Sequence, residues 1–99
     1  MKLFKERRLK EACAYAQGGG QALHLFSDPR IYPGAPNCFK RSREAAHLFD
    51  YNIGRLISTA RRLGVRVIKV GRKGAPGQHI DLCGKPLRMA KEEASQVLL

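Results

Sequence analysis

Apolar residues recur at three- and four-residue intervals through residues 42–63, where Ala46, Phe49, Ile53, Leu56, Ile57, Ala60 and Leu63 share one helical face. Ser42 suits an N-cap, and Gly64 stands where helices commonly end. Gly54 falls inside this run and costs about 1 kcal/mol relative to Ala. A second parse is therefore open, with a strand over Ala45–Phe49 and a helix starting near Asp50 or Asn52. Upstream, residues 2–16 read as a helix with Leu3, Phe4, Leu9, Ala12, Cys13 and Ala16 on one side, stopped by Gly18, Gly19 and Gly20. Ala22–Phe26 is a short strand. Pro29, Pro33, Gly34 and Pro36 then impose an irregular loop.

Downstream of Gly64, Val65–Val70 alternates as a strand, residues 71–78 form a glycine-rich loop, and His79–Leu82 is a further short strand. Pro86 opens a final helix reaching Leu98, with Leu87, Ala90, Ala94 and Val97 as its apolar stripe. The pattern predicts an α/β fold: a small single-domain layered sheet of about three to four short strands packed by two to three helices. The glycine run divides the chain into an N-terminal basic helix with a hinge, residues 1–20, and an α/β domain, residues 21–99.

Charge narrows the choice of partner. Nineteen Lys and Arg against eight acids give +11 over 99 residues. The densest tract contains Arg66, Lys69, Arg72 and Lys73 with no acid among them. Such a field attracts polyanions, and nucleic acid is the commonest of these. A soluble basic surface with no ligand is the plain alternative. Cys13, Cys38 and Cys83 are too widely and irregularly spaced for a disulfide framework or a structural zinc site, so reduced thiols in a cytoplasmic protein are expected. No apolar run approaches a membrane span.

Four groupings bear on chemistry. In His79-Ile80-Asp81-Leu82-Cys83, strand alternation puts His79, Asp81 and, where the strand reaches it, Cys83 on one face and Ile80 and Leu82 on the other. A carboxylate beside an imidazole orients it or joins it in holding a metal; surface polarity on an edge strand is the bland reading. Asp28 follows a strand end, where carboxylates often line sites in α/β sheets, though Asp before Pro is also a common turn former. The loop GRKGAPGQ offers backbone N–H groups and two cations to phosphates, but lacks the ending of a P-loop. Arg55 and Arg62, seven apart, share a helix face that solvent alone would explain equally well.

His47-Leu48-Phe49, then Leu56 and Ala60-Arg61-Arg62-Leu63-Gly64-Val65, then His79-Ile80-Asp81-Leu82 with Lys85, Arg88 and Ala90, resemble the bacterial and phage family called domain of unknown function 4031. The resemblance covers about residues 22–94. That family opens with a strand ending in Asp, which Ser27-Asp28 matches, and carries a His-aromatic-Asp-Leu-Thr motif. Ile80 stands here for the aromatic and Cys83 for the Thr. The resemblance implies that Asp28, His47, His79 and Asp81 form one cluster, and that His47 lies on a strand. It implies no activity.

The leading expectation is thus a basic nucleic-acid- or nucleotide-phosphate-binding protein, with Arg55, Arg62, Arg66, Lys69, Arg72, Lys73, Lys85 and Arg88 as its contacts. The alternative is a small metal-dependent phosphodiesterase or nuclease whose Asp28, His47, His79 and Asp81 hold a divalent metal or move protons. A third class is a protein-interaction module docking on an acidic surface. A homodimer is open, and no membrane partner is expected.

Overall fold

The computed structural model describes residues 1–27 and 42–97. Asp28 and the proline-rich loop after it lie outside the described residues. The described chain forms a five-stranded mixed sheet in the order β1-β2-β3-β5-β4, packed by helices on both faces. The strands are β1 (Lys2–Lys5), β2 (Gln21–Ser27), β3 (Glu44–Asp50), β4 (Val70–Gly71) and β5 (His79–Leu82). The helices are α1 (Leu9–Gln17), α2 (Ile53–Arg62) and α3 (Gly84–Val97), with a short 3-10 turn at Glu6–Arg8. β1 and β2 run parallel and are joined through α1, while the other neighbours are antiparallel. No helix among the described residues is long and apolar enough to cross a membrane.

The α/β expectation holds, and several boundaries move. Residues 2–16 are not one helix. Leu3 and Phe4 extend as β1, whose residues Lys2–Lys5 pair with Ala22–Leu25. The N-terminal segment is thereby built into the sheet. Between β3 and α2 the second parse is the one observed: Asn52 caps α2, its Oδ1 accepting from the Arg55 N–H at 3.0 Å. The alternating stretch Val65–Val70 is a strand only at Val70, and Val67 stands 72% exposed. The thiols meet the expectation only in part. Cys83 is disulfide-bonded, and Cys13 is free.

The sheet's two faces have different characters. One carries Leu23, Leu25, Ala46, Leu48, Ile80 and Leu82, all buried beneath α2 and α3. On the other, α1 covers Phe4, Ala22 and Phe49 with Ala12 and Ala16. Beyond α1 this second face turns polar, and the chain's three histidines lie on it. One register row runs Phe4–His24–His47–Asp81 across β1, β2, β3 and β5. The next row carries Ala22, Phe49, His79 and Gly71.

A buried polar clamp holds the β3 end and the β4–β5 hairpin in register. Asp50, fully buried, accepts from Gln21 Nε2 (3.0 Å), from the Asn52 N–H (2.9 Å) and from the Arg55 guanidinium (2.6 and 2.8 Å). Gln78 donates to the Asp50 carbonyl (2.9 Å) and accepts from the Gly74 N–H (2.8 Å). Every buried carboxylate lone pair in such a site needs a donor, and these partners fix where the hairpin turns into β5.

Candidate metal centre

β3 and β5 are antiparallel neighbours with His47 directly opposite Asp81 and Phe49 opposite His79. Because alternate residues share a face, His79 and Asp81 both stand beside His47. His47 Nε2 lies 3.8 Å and His79 Nε2 3.5 Å from Asp81 Oδ1. The donor atoms of the three side chains all lie within 4.8 Å of one another. Side-chain exposures of 26% for His47, 19% for His79 and 36% for Asp81 leave the group sheltered yet open to solvent.

Each imidazole is held from behind. His79 Nδ1 donates to the Gly77 carbonyl at 2.7 Å, which leaves Nε2 of the neutral ring bare and facing Asp81. Its ring lies against the Cα of Gly71 on β4, in space that a β-carbon would fill. His47 is stacked on Phe26, with ring centroids 4.6 Å apart, and meets the edge of His79 at 5.0 Å. Burial pushes the His47 imidazole down to about 3, with His79 and then His24 adding to the effect, so the ring is neutral at ordinary pH. Desolvation raises the Asp81 carboxyl above its usual range, against an opposing pull from His79.

Two imidazole nitrogens and a carboxylate oxygen form a set that suits zinc, iron, manganese or nickel. Donors bound to one such ion stand about 3.0–3.4 Å apart, given metal–ligand lengths near 2.1 Å. Side-chain movements of up to about 1.5 Å would therefore close this group on a cation. Three protein ligands would leave a coordination position open to water or another ligand.

The structure brings together three of the four residues expected to cluster; the fourth, Asp28, lies outside the described residues. The eight basic residues divide. Arg55 binds the buried Asp50 carboxylate and the Gly19 and Gly20 carbonyls, and Arg62 pairs with Glu93 at 2.9 Å. Arg66, Lys69, Arg72, Lys73, Lys85 and Arg88 are exposed. Of these, Arg72 belongs to the hairpin that carries Gly71 and Gly77, with its side chain alongside Gly77. It has φ +53°, an uncommon backbone state for a residue with a β-carbon. His24 was not among the expected site residues, yet its ring contacts His47. Compared with protein-family models, curated proteins and solved structures, the chain finds no match.

Proposed function

We propose that this protein is a small metal-dependent hydrolase of phosphoesters, acting on nucleic-acid backbones. The observation that carries this reading is the gathering of His47, His79 and Asp81, with ligand atoms all within 4.8 Å of one another, on the polar part of the sheet's second face. A divalent ion held there would supply an acidified water and a Lewis acid for a phosphoryl oxygen. The residues do the rest. His47 and His79 would fix the ion's position, Asp81 would offset part of its charge, and Arg72 with Lys73 on the adjoining hairpin would attract the phosphate.

The test is metal content and turnover together. After reconstitution with Zn2+, Mn2+, Co2+ or Ni2+, the protein should retain one ion per chain and cleave bis(p-nitrophenyl) phosphate or a labelled oligonucleotide. Chelation should abolish cleavage, and His79→Ala should abolish it while leaving the melting temperature within a few degrees of wild type. Failure to retain any of these ions would overturn the proposal.

A non-catalytic reading is favoured by a separate observation, the +11 charge with its dense tract at Arg66, Lys69, Arg72 and Lys73. In that reading the protein binds nucleic acid through phosphates, with affinity falling steeply as salt rises because each neutralised phosphate releases counterion. Salt-dependent binding by a chain that retains no metal would select it.

A further inference from the structure

His24 is the third histidine of the polar face and the most deeply buried, at 4% exposure. It sits on β2, opposite His47 on β3. Its Nε2 lies 2.7 Å from the Glu6 carbonyl, an acceptor only, so Nε2 carries a proton. Its Nδ1 lies 3.4 Å from His47 Nδ1, and the two ring planes are 6° apart. In the neutral ring, Nδ1 is then bare. Two bare nitrogens facing each other would repel, so the proton between them belongs to His47. A neutral imidazole holds one N–H, and with it on Nδ1 the Nε2 of His47 is bare and faces Asp81.

We propose that His24 is a positioning residue of this centre: anchored by the Glu6 carbonyl, it fixes His47 in the tautomer that presents Nε2 to Asp81 and His79. The same logic holds His79 through Gly77, so each imidazole has one backbone carbonyl behind it, direct for His79 and relayed through His24 for His47. Metal-binding histidines are commonly oriented by such outer hydrogen bonds, which set the tautomer and strengthen the ligand.

The anchor itself is unusual. Glu6 has φ +33°, a region that residues bearing a β-carbon seldom occupy. It is secured to β2 twice, by its carbonyl on His24 and by its carboxylate, which accepts from Ser27 Oγ at 2.7 Å. Backbone outliers held by surrounding contacts cluster where placement of one group matters. Here that group is the carbonyl that receives the His24 proton.

The effect on affinity rests on the metal-centre reading, whereas the tautomer is a property of the metal-free protein, so the two are separable. Long-range 15N–1H spectra of the histidine rings in metal-free wild type should show His47 protonated on Nδ1 and bare on Nε2. Zn2+ titration should show affinity falling by about 10- to 100-fold in His24→Phe, although His47, His79 and Asp81 are all intact. His24→Asn, whose Oδ1 stands near the lost Nδ1 and accepts from His47, should recover most of that affinity and the Nδ1–H tautomer.

A wild type that binds no Zn2+ but shows the Nδ1–H tautomer sinks the metal reading and keeps the relay. A wild type with His47 protonated on Nε2, or a His24→Phe that folds and matches wild type in Zn2+ affinity, overturns the relay. If His24→Phe fails to fold, the wild-type spectrum and His24→Asn carry the test.

Discussion

Gly71→Ala tests the candidate centre without altering any ligand. Gly71 stands opposite His79 across the β4–β5 pair. A β-carbon there would lie 2.6 Å from His79 Cε1 and 2.8 Å from Nε2. Ordinary carbon contacts begin near 3.5 Å, so the imidazole must retreat by about 0.9 Å. The ring is the free end of its side chain and can tilt away, which strains its 2.7 Å bond to the Gly77 carbonyl by an amount bounded by the loss of that bond. Losing that bond costs about 1 kcal/mol. Replacing a strand glycine returns about 0.5–1 kcal/mol of backbone entropy. The two nearly cancel, so the melting temperature should stay within about 5 °C of wild type. Metal coordination tolerates only about 0.2 Å. Displacing one of three ligands by several times that should lower Zn2+ affinity by at least about 100-fold, more than an outer-partner mutation does. Calorimetric titration beside a thermal melt reads both quantities. Unchanged Zn2+ affinity with an unchanged melt would refute the placement of His79 as a ligand.

Three further outcomes are expected. Neutral His47 in the fold takes up its proton near 3 rather than at the usual 6.5, so the unfolded chain binds more protons between those values. Its contribution is complete above pH 6.5 and declines as pH falls, by about 2 kcal/mol at pH 5; Asp81, raised from its usual value, acts in the opposite sense as pH rises above 3.8. Urea melts of metal-free protein should show acid lability that His47→Phe reduces, and identical pH slopes in the two proteins would count against it. Asp50→Ala removes the acceptor for Gln21, the Asn52 N–H and Arg55, and should cost about 3 kcal/mol in urea unfolding, tempered by Arg55 being part exposed; a loss below about 1 kcal/mol would show that the clamp is not needed. Deleting residues 1–20 removes β1, α1 and the Glu6 carbonyl, so the truncated chain should lose its cooperative melt, and a sharp transition in it would show that the sheet is complete without β1.

Much of the fold was legible because its patterns were local. β2, β5 and α3 announce themselves by apolar runs, alternation and a proline start. The N-terminal strand did not, because Leu3 and Phe4 serve a helix stripe as readily as a strand, and pairing with β2 decides between them. β3 was ambiguous because both its faces are buried, which erases the period-two signal. Val65–Val70 misled for the opposite reason: its alternation is present, but only Val70 finds a partner strand. At the site, His79 and Asp81 could be grouped from spacing alone. His24 could not, since its partners depend on β2–β3 register and on a backbone carbonyl 18 residues upstream, neither of which is written in side-chain spacing.

The His47–Asp81 pairing spans two strands whose ligands are far apart in the chain, and the relay reaches back to Glu6. An unfolded chain therefore holds no preformed cage, and a bound ion would act as a ballast on the folded state alone. At a hundred times its dissociation constant, such an ion adds about 2.7 kcal/mol. For a domain this small, that is a sizeable share of the total stability, commonly about 5–15 kcal/mol. Mutations far from the histidines that loosen the N-terminal segment would then register as weaker metal retention. Cation supply would in turn set how much intact protein persists.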